Sequence, residues 1–345
     1  MFSTKVAKVR DVYIGGSHCV KIQTMYDDKI SRCDVDSLLL RIANLKNMGC
    51  DLIRFCYIDS SDYDKFKILC EKSIIPLVAD IHFDYKMALE ALDAGAHKIR
   101  INPGNLSSRW KVDNILDIAK DKGVAIRIGL NSGSLPQKYG KDPKQAMLGA
   151  CEEYLTWFEE RDFYNTVVSL KASDPILTLD VNRELKKVCD YPIHLGVTEA
   201  GGLVSSLVKS TWSLGSLLND NIGDTVRISI TGSIEDEVHS AGVLLRTLGL
   251  RKNGINIVSC PRCGRYSFDT TTFLNRVQNR LLTINKDITV AFMGCLVNGP
   301  GEAKNADIAI TGINNEAYLY KHGKFLKKID ASAGDEELFE VIDSL

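Results

Sequence analysis

Residues 98–105 read KIRINPGN. Two isoleucines alternate here with polar residues, and a Pro-Gly turn ends the run. Side chains of a strand alternate between its two faces, and in a barrel of strands and helices the outer face packs on the helices and is apolar. The stretch therefore predicts a strand whose Ile99 and Ile101 face helices, while Lys98, Arg100 and Asn102 point into the barrel.

The same organisation recurs from Val20 to about Ser229. Short apolar runs alternate with amphipathic helical stretches, and glycines stand where helices would end. The strand candidates are 20–25, 52–57, 75–82, 98–102, 125–131, 166–171, 191–196 and 225–231. Eight repeats match a (β/α)8 TIM barrel, which typically takes ~250 residues. A doubly wound sheet is the competing fold, but no Gly-x-Gly-x-x-Gly motif follows the first strand.

The pattern changes after Gly254. Periodicity predicts strands at 255–259, 287–292 and 307–311, helices at 271–282 and 335–344, and a hairpin at 318–328 that turns at His322-Gly323. We therefore predict an α/β protein of two domains. A barrel would cover residues 1–250, and a small α/β domain would cover residues 251–345.

Composition is that of an ordinary globular protein, with 345 residues, 45% hydrophobic and 25% charged. A net charge of −1 offers no basic field for nucleic acid or a membrane surface. No apolar run reaches the ~20 residues of a spanning helix, and the N-terminus lacks the apolar core of a signal peptide. The 10 cysteines show no disulfide-like spacing, so we expect reduced thiols and a cytoplasmic location.

Five strand candidates place a permanent cation on the inner face of the barrel. These cations are Arg54, Lys98, Arg100, Arg127, Lys171 and Arg227. Burying them unpaired would cost several kcal/mol each, and Asp80 and Glu199 are the nearby carboxylates that the sequence offers. A single buried Arg or Lys is usually a salt-bridged structural residue. Convergence of five strands favours a phosphate or diphosphate ligand at the C-terminal mouth instead.

Neutral donors and acid–base groups follow the same strands. Asn102 and Asn131 open polar loops that are either plain turns or amide donors at the mouth, and Ser229 and Thr231 share the inward face of Arg227. His82 could exchange a proton, or could simply hydrogen-bond Asp80. Glu199 ends the seventh strand before two glycines, where a ligand can approach closely and a carboxyl group can transfer a proton.

Three cysteines stand in loops suited to metal ligation. Cys260 and Cys263 lie on one Pro/Gly turn, and Cys295 lies in a second Gly-rich loop. Three thiolates without a fourth indicate an iron–sulfur cluster or a zinc site that another residue completes. Glu302 is the candidate fourth ligand because Gly-Pro-Gly turns the chain just before it; its alternative is an ordinary surface carboxylate.

Four segments carry a resemblance to a known family: PLVADIHF at 76–83, RINPGN at 100–105, CPRCGR at 260–265 and CLVNGPGE at 295–302. Together they resemble the 4-hydroxy-3-methylbut-2-enyl diphosphate synthases, the iron–sulfur reductases of the non-mevalonate isoprenoid pathway. The resemblance covers nearly the whole chain and implies the short bacterial form. It implies reductive ring opening and dehydration of 2-C-methyl-D-erythritol 2,4-cyclodiphosphate to 4-hydroxy-3-methylbut-2-enyl diphosphate. It also implies flavodoxin or ferredoxin as electron donor, and a homodimer in which one subunit's cluster caps the other's barrel.

The resemblance assigns roles residue by residue. It implies a [4Fe–4S] cluster on Cys260, Cys263, Cys295 and Glu302. It implies Glu199 as proton donor, with His82 and Asp80 as further active-site groups. The implied phosphate contacts are Arg54, Arg100, Arg127, Asn131, Lys171, Arg227, Ser229 and Thr231.

Two positions depart from the family pattern, Tyr26 in the first loop and Arg262 between the first two cysteines. Two other functions remain open on the residues alone. One is a zinc-containing barrel that binds phosphosugars without redox chemistry. The other is a non-catalytic iron–sulfur sensor that binds an anionic metabolite.

Overall fold

The structure is a computed structural model that describes residues 4–135, 137–252, 254–261, 263–295, 301, 304–313 and 316–345. Arg262 and Glu302 therefore lie outside the described residues. The chain divides into two compact units, Met1–Arg251 and Lys252–Leu345. Each unit has its own hydrophobic core. None of the helices in the described part of the chain combines the length and apolar character needed to span a bilayer.

The first unit is a nearly closed barrel of eight strands, which confirms the predicted fold. After an N-terminal hairpin of β1 (Val6–Val9) and β2 (Val12–Gly15), the barrel strands are β3 (Lys21–Met25), β4 (Leu52–Tyr57), β5 (Leu77–Ile81), β6 (Lys98–Ile101), β7 (Ala125–Asn131), β8 (Thr166–Lys171), β9 (His194–Leu195) and β10 (Thr225–Val226). Their order is β8-β7-β6-β5-β4-β3-β10-β9. All neighbouring barrel strands pair in parallel.

Eight helices alternate with the barrel strands. They are α1 (Val35–Asn47), α2 (Tyr63–Lys72), α3 (Tyr85–Asp93), α4 (Arg109–Lys122), α5 (Pro143–Glu159), α6 (Pro175–Val188), α7 (Leu203–Asn219) and α8 (Ile234–Thr247). Short 3-10 turns lie at Ile30–Arg32, Ser60–Asp62, Ser132–Ser134 and Gln137–Tyr139. Acid or hydroxyl side chains cap five of the helices by accepting a backbone N–H: Asp34, Asp84, Asp142, Asp174 and Ser233.

The last two barrel strands are shorter than the sequence predicted. Regular pairing ends at Leu195 and at Val226, and a single bridge between Val168 and Ile193 joins β8 to β9. The predicted strand at 225–231 is therefore wrong beyond residue 226. The Ser229 carbonyl accepts a hydrogen bond from Ser206 on α7 instead of from a neighbouring strand. The backbone after β10 thus turns toward a helix and becomes part of the mouth.

The N-terminal hairpin forms an apolar cluster with the beginnings of four barrel strands. Ala7, Val9 and Ile14 pack with apolar residues from the strand beginnings: Leu52, Val78, Ala125 and Val167. These strand residues fill the N-terminal end of the barrel as in other barrels of this type. Lys98 pairs in register with Val78 and Ala125, so the charged part of the lumen begins at this layer.

The second unit is a five-stranded mixed sheet with two described helices. Its strands follow the sheet order β11 (Asn256–Ser259), β12 (Thr289–Met293), β13 (Ile308–Ile313), β14 (Glu316–Lys321) and β15 (Lys324–Asp330). The first three are parallel and the last two form an antiparallel hairpin. The helices are α9 (Thr270–Leu282) and α10 (Asp335–Asp343). His322 and Gly323 both have positive φ, 46° and 72°, as a tight hairpin turn requires, which confirms the predicted turn.

Candidate active site and cysteine centre

The inward cations of the barrel lie where alternation along the strands predicts. Ile99, Ile101, Ile126, Ile128 and Leu130 belong to the core between strands and helices. Lys98, Arg100, Arg127 and Lys171 are all buried. Lys171 is close enough to four arginines to be repelled by their charge, so these side chains occupy one region of the barrel. The arginines are Arg54, Arg100, Arg127 and Arg227.

Asp80 on β5 is the counter-charge of two of these cations. Its Oδ1 accepts from Nη1 of Arg100 at 2.9 Å, and its Oδ2 lies 3.5 Å from Nε of Arg54. Burial by itself would raise the pKa of Asp80, but the two guanidiniums outweigh burial and lower that pKa to about 2. Asp80 is therefore a permanent anion at neutral pH and cannot supply a proton there.

Arg227 has a partner that the sequence analysis missed. Glu237 on α8 is buried and accepts from Nε and Nη2 of Arg227 at 2.9 and 2.7 Å. The same carboxylate accepts from Thr24 at 2.7 Å. The expectation that Asp80 and Glu199 would be the only internal carboxylates was therefore wrong. Glu237 lies one turn before Ala241 on the apolar face of α8, and a carboxylate on such a face was the signal that could have revealed it.

Three buried cations have no carboxylate partner among the described residues. Lys98 donates to Oε1 of Gln23 at 3.0 Å. Nε and Nη1 of Arg127 are buried with no hydrogen-bond partner in the described part of the chain. Lys171 shares a hydrogen bond with His194 at 2.9 Å. After Asp80 and Glu237 are counted, the lumen keeps surplus positive charge, which is the expected state of a site built for an anion.

Two glycines make room for the cations. A Cβ on Gly129 would lie 2.6 Å from Nε of Arg100, whose Nη2 donates to the Gly129 carbonyl at 2.9 Å. A Cβ on Gly196 would lie 2.6 Å from Nζ of Lys171. Both side chains therefore lie directly over a neighbouring strand's backbone, an approach that only glycine permits.

A cavity of about 420 Å³ opens at the C-terminal end of the barrel beside these charges. Arg227, Glu237, Met25, Tyr26 and Cys56 contribute to its lining. The Met25 thioether lies 2.6 Å from Nη2 of Arg54 and 3.4 Å from Nη1 of Arg227, so it joins the two guanidiniums. Neither Met25 nor Cys56 had been assigned to the site from the sequence.

His82 contacts a thiol and not the expected carboxylate. Its Nε2 lies 3.6 Å from Sγ of Cys56, while Asp80 is held by the two arginines. Ligand atoms of Cys56, Asp80 and His82 lie within 4.8 Å of one another, a spacing at which a metal ion could be held. Asp80 is already paired with Arg54 and Arg100, and the positive charge of these two arginines would repel a metal ion at this position.

Glu199 has a backbone conformation that is uncommon for its residue type. Its φ is 52°, in the left-handed region, and its side chain is exposed in the loop that follows β9. A non-glycine residue held in this region stores backbone strain, a feature that clusters at functional sites. Glu199 pairs with none of the lumen cations, so its carboxyl group is available to a ligand.

The other candidate contacts lie in the loops at the mouth. Asn102 donates to Ser134 Oγ at 3.0 Å and accepts from the Gly104 N–H at 3.0 Å. The interpretation of this loop as a turn stabilised by Asn102 is therefore confirmed. Asn131 and Ser229 are half-buried and Thr231 is exposed. Tyr26, one of the two departures, packs against Phe55 with ring centroids 5.2 Å apart.

The second unit brings the three loop cysteines to one cavity. Cys260, Cys263 and Cys295 line a space of about 160 Å³ together with Gly294 and Arg265. The Gly294 N–H donates to Sγ of Cys260 at 3.1 Å. A Cβ on Gly294 would lie 2.8 Å from the Tyr266 ring, so glycine is needed to bring this N–H to the sulfur. Thiolates with a backbone N–H donor form a set suited to a soft metal centre.

Comparison with known proteins gives the family. A model described as the GcpE TIM-barrel domain matches residues 4–242, and one described as the GcpE protein C-terminal domain matches residues 256–344. The chain belongs to the GcpE family. GcpE relatives named 4-hydroxy-3-methylbut-2-en-1-yl diphosphate synthase (flavodoxin) include those of Clostridium perfringens, 40% identical over 99% of both chains, and of Geobacillus thermodenitrificans, 41% identical over 99% of this chain and 92% of the relative.

Among solved structures, the barrel of this GcpE protein is similar to a dihydropteroate synthase of Xanthomonas albilineans. The TM-score is 0.51 at 12% identity, and the match covers 72% of this chain and 98% of the other. At that identity the likeness concerns the fold alone.

Proposed function

We propose that this protein is a 4-hydroxy-3-methylbut-2-enyl diphosphate synthase. It opens the ring of 2-C-methyl-D-erythritol 2,4-cyclodiphosphate reductively, with loss of water, in non-mevalonate isoprenoid biosynthesis. The observation that carries the proposal is the surplus of arginine charge in the lumen. Two carboxylates, Asp80 and Glu237, pair with arginines there, and four arginines share the region: Arg54, Arg100, Arg127 and Arg227. A doubly anionic ring is the ligand that such a lumen would stabilise. The names and full-length similarity of the relatives support this substrate.

Substrate binding uses the cations in two ways. Arg54, Arg100 and Arg227 are oriented by Asp80 and Glu237, and their remaining N–H groups can contact phosphate oxygens. Arg127 has no carboxylate partner among the described residues, so its charge is available to the ligand, and Lys171 adds a hydrogen-bond donor beside it. Orientation by carboxylates and attraction by unpaired cations together place the diphosphate before any reaction occurs.

A [4Fe–4S] cluster would be held by Cys260, Cys263, Cys295 and Glu302. The thiol set, the cavity that it lines and the Gly294 N–H at a cysteine sulfur fit such a group. When bound, the cluster supplies the electrons of the reduction. A carboxylate such as Glu302 would be a harder and more weakly held ligand than a thiolate, so its position in the ligand set would be the exchangeable one.

Protons come from the chain's own carboxyl and imidazole groups. Glu199 is the proposed proton donor because it lies in the loop after β9, is exposed and has a left-handed backbone of the kind that clusters at functional sites. His82 is placed by Cys56, and we propose that it hydrogen-bonds the substrate. Asp80 acts by fixing Arg54 and Arg100 and stays ionised.

We propose flavodoxin or ferredoxin as electron donor, and a homodimer as the working form. Flavodoxin is supported by the relatives' names. The dimer is supported by an apolar face on α7, where Val204, Val208 and Trp212 are 76%, 67% and 57% exposed. Lys209 is the single charged residue of α7, so this helix presents an apolar surface with little charge. In this dimer one subunit's cluster caps the barrel of the other.

The test is anaerobic reconstitution followed by turnover of the cyclodiphosphate with a chemical reductant. We expect a brown protein with absorbance near ~400 nm, typical of such clusters, and product formation. A colourless protein that retains zinc would overturn the cluster. A brown protein that binds the cyclodiphosphate but never converts it would favour the sensor function. Glu302→Ala should keep its fold and lose activity, and full activity in this variant would contradict a ligand role for Glu302.

A further inference from the structure

Two basic side chains share one hydrogen bond inside the barrel. Nζ of Lys171 on β8 lies 2.9 Å from Nε2 of His194 on β9. Nδ1 of His194 lies 2.6 Å from Oγ1 of Thr225 on β10, so both ring nitrogens have a partner. Lys171 is 6% exposed, and His194 and Thr225 are fully buried. Three side chains from the strands β8, β9 and β10 thus form a hydrogen-bonded chain.

This contact limits how many protons the pair can hold. A hydrogen bond between Nζ and Nε2 requires one donor and one acceptor. A lysine ammonium can donate to neutral imidazole, or the imidazole N–H can donate to a neutral amine. If both groups were fully protonated, two donors would face each other at 2.9 Å. The two side chains therefore share a single proton site.

The surroundings disfavour even one positive charge in the empty barrel. The charged groups that face the pair are cations from β4, β6, β7 and the end of β10: Arg54, Lys98, Arg100, Arg127 and Arg227. Asp80 and Glu237, the buried carboxylates in contact with these cations, are hydrogen-bonded to arginines. Burial, followed by these cations, holds the pKa of Lys171 and that of His194 well below their usual ranges.

The geometry also holds the amine in place for a ligand. Lys171 crosses the backbone at Gly196, where a Cβ would lie 2.6 Å from Nζ and 3.1 Å from Cε. The hydrogen bond to His194 holds the terminal amine of Lys171, and the hydrogen bond to Thr225 orients the imidazole ring. The amine is therefore held near Arg127 and Arg227, and does not move freely in the lumen.

We propose that Lys171 and His194 form a proton-sharing pair that lacks one proton in the ligand-free barrel and takes it up from solvent when the dianionic substrate binds. His194 is the positioning residue of this pair, since it acts through Lys171. This inference rests on the proposed function, because it concerns the same anion site. Its consequence is that substrate affinity falls as pH rises, because a proton must accompany the ligand.

The cyclodiphosphate is a suitable probe for this coupling. Each of its two phosphates is closed into the ring and carries one strongly acidic oxygen, so the ligand itself does not titrate near neutral pH. A net proton change on binding therefore reports on the protein. Oxidised holoenzyme without reductant binds the ligand without turning it over.

The experiment is titration calorimetry of the oxidised holoenzyme with the cyclodiphosphate at pH 8, in two buffers of different ionisation enthalpy. We expect uptake approaching one proton per site in the native protein, and none in Lys171→Met at saturating ligand. Binding without proton uptake in the native protein would contradict the proposed proton sharing between Lys171 and His194. Equal uptake in Lys171→Met would also overturn it. Absence of binding in the native protein would instead contradict the proposed function.

The role of His194 is tested by its variants across pH. His194→Leu removes the acceptor of the lysine ammonium, so we expect affinity to fall about tenfold or more at pH 8 and less at pH 6.5. His194→Gln offers an amide oxygen in place of Nε2 and should restore most of the affinity. Equal, pH-independent losses in both variants would show a purely structural role and overturn the assignment.

Discussion

Arg227 and Glu237 form a two-point ion pair inside the barrel wall, with Nε–Oε2 and Nη2–Oε1 distances of 2.9 and 2.7 Å. The carboxylate comes from α8 and the guanidinium from the segment after β10, so the pair ties a helix to the mouth. Thr24 on β3 donates to the same carboxylate. Glu237 thus orients Arg227, a candidate phosphate-binding residue, and connects β3 to the segment after β10.

Glu237→Gln should therefore reduce both stability and substrate binding. Removing one charge of a buried pair leaves the other uncompensated, and we expect a loss of about 3 kcal/mol in unfolding free energy. Thermal unfolding and steady-state kinetics measure the two effects. Glu235→Gln is the matched control on the same helix. Its half-exposed pair with Arg41 contributes less than about 1 kcal/mol. Equal effects of the two substitutions would contradict the role given to Glu237.

Asp80→Asn should lower activity by the same factor at every pH from 6 to 9. The folded-state pKa of Asp80 is about 2, below the value of about 4 in an unfolded chain. The stability that this carboxylate contributes is complete above the unfolded value and is lost only as pH falls toward the folded one. Profiles of kcat/KM against pH for both proteins check this. A loss that varies strongly within that range would mean that Asp80 titrates during catalysis.

Gly129→Ala and Gly196→Ala should raise KM at least several-fold with smaller effects on folding. At Gly129 the added Cβ would lie 2.6 Å from Nε of Arg100. At Gly196 it would lie 2.6 Å from Nζ of Lys171 and 3.0 Å from the Arg227 carbonyl oxygen. Both cations would then have to leave their positions over the strands. KM for the cyclodiphosphate and thermal unfolding are the measurements. Gly149→Ala on α5 is the control, because its Cβ meets nothing closer than 3.5 Å. Unchanged KM values in both barrel variants would show that these cations do not bind substrate.

Glu199→Gln should reduce kcat by about 10²-fold or more with little change in KM, because it keeps the side-chain shape and removes the proton. Single-turnover kinetics with pre-reduced enzyme isolates the chemical step. Asp162→Asn is a matched control, since Asp162 also has a left-handed backbone, with φ 51°. We expect normal activity in the control. Near-native turnover in Glu199→Gln would remove this residue from the proton pathway.

Val208→Asp should disrupt the proposed dimer by placing a charge on the apolar face of α7. Sedimentation of the native protein should give twice the chain mass, and the variant should give the mass of one chain. Val188→Asp on α6 changes an equally apolar residue that is 82% exposed and should leave the assembly intact. A native protein that sediments as a single chain would contradict the dimer directly.

The sequence by itself determined the strand-and-helix order, the inward cations and the cysteine loops. Alternation at residues 98–102 and 125–131 depends on local geometry, since side chains in a strand point to opposite faces whatever surrounds them. The hairpin at His322-Gly323 and the helix boundaries in the second unit depend equally on local turn and cap chemistry. These features could be predicted because each is decided within a few residues.

Only the tertiary structure decided which of those charges are paired. Glu237 reaches Arg227 because α8 packs beside β3, and His194 reaches Lys171 because β9 joins β8 by a single bridge. Cys56 on β4 pairs in register with Asp80 on β5, and His82, two residues further along the chain, reaches the Cys56 thiol. Such contacts join residues from separate strands and helices, so they depend on how the barrel closes. Strand periodicity indicates which side chains point inward, but closure determines which of them meet.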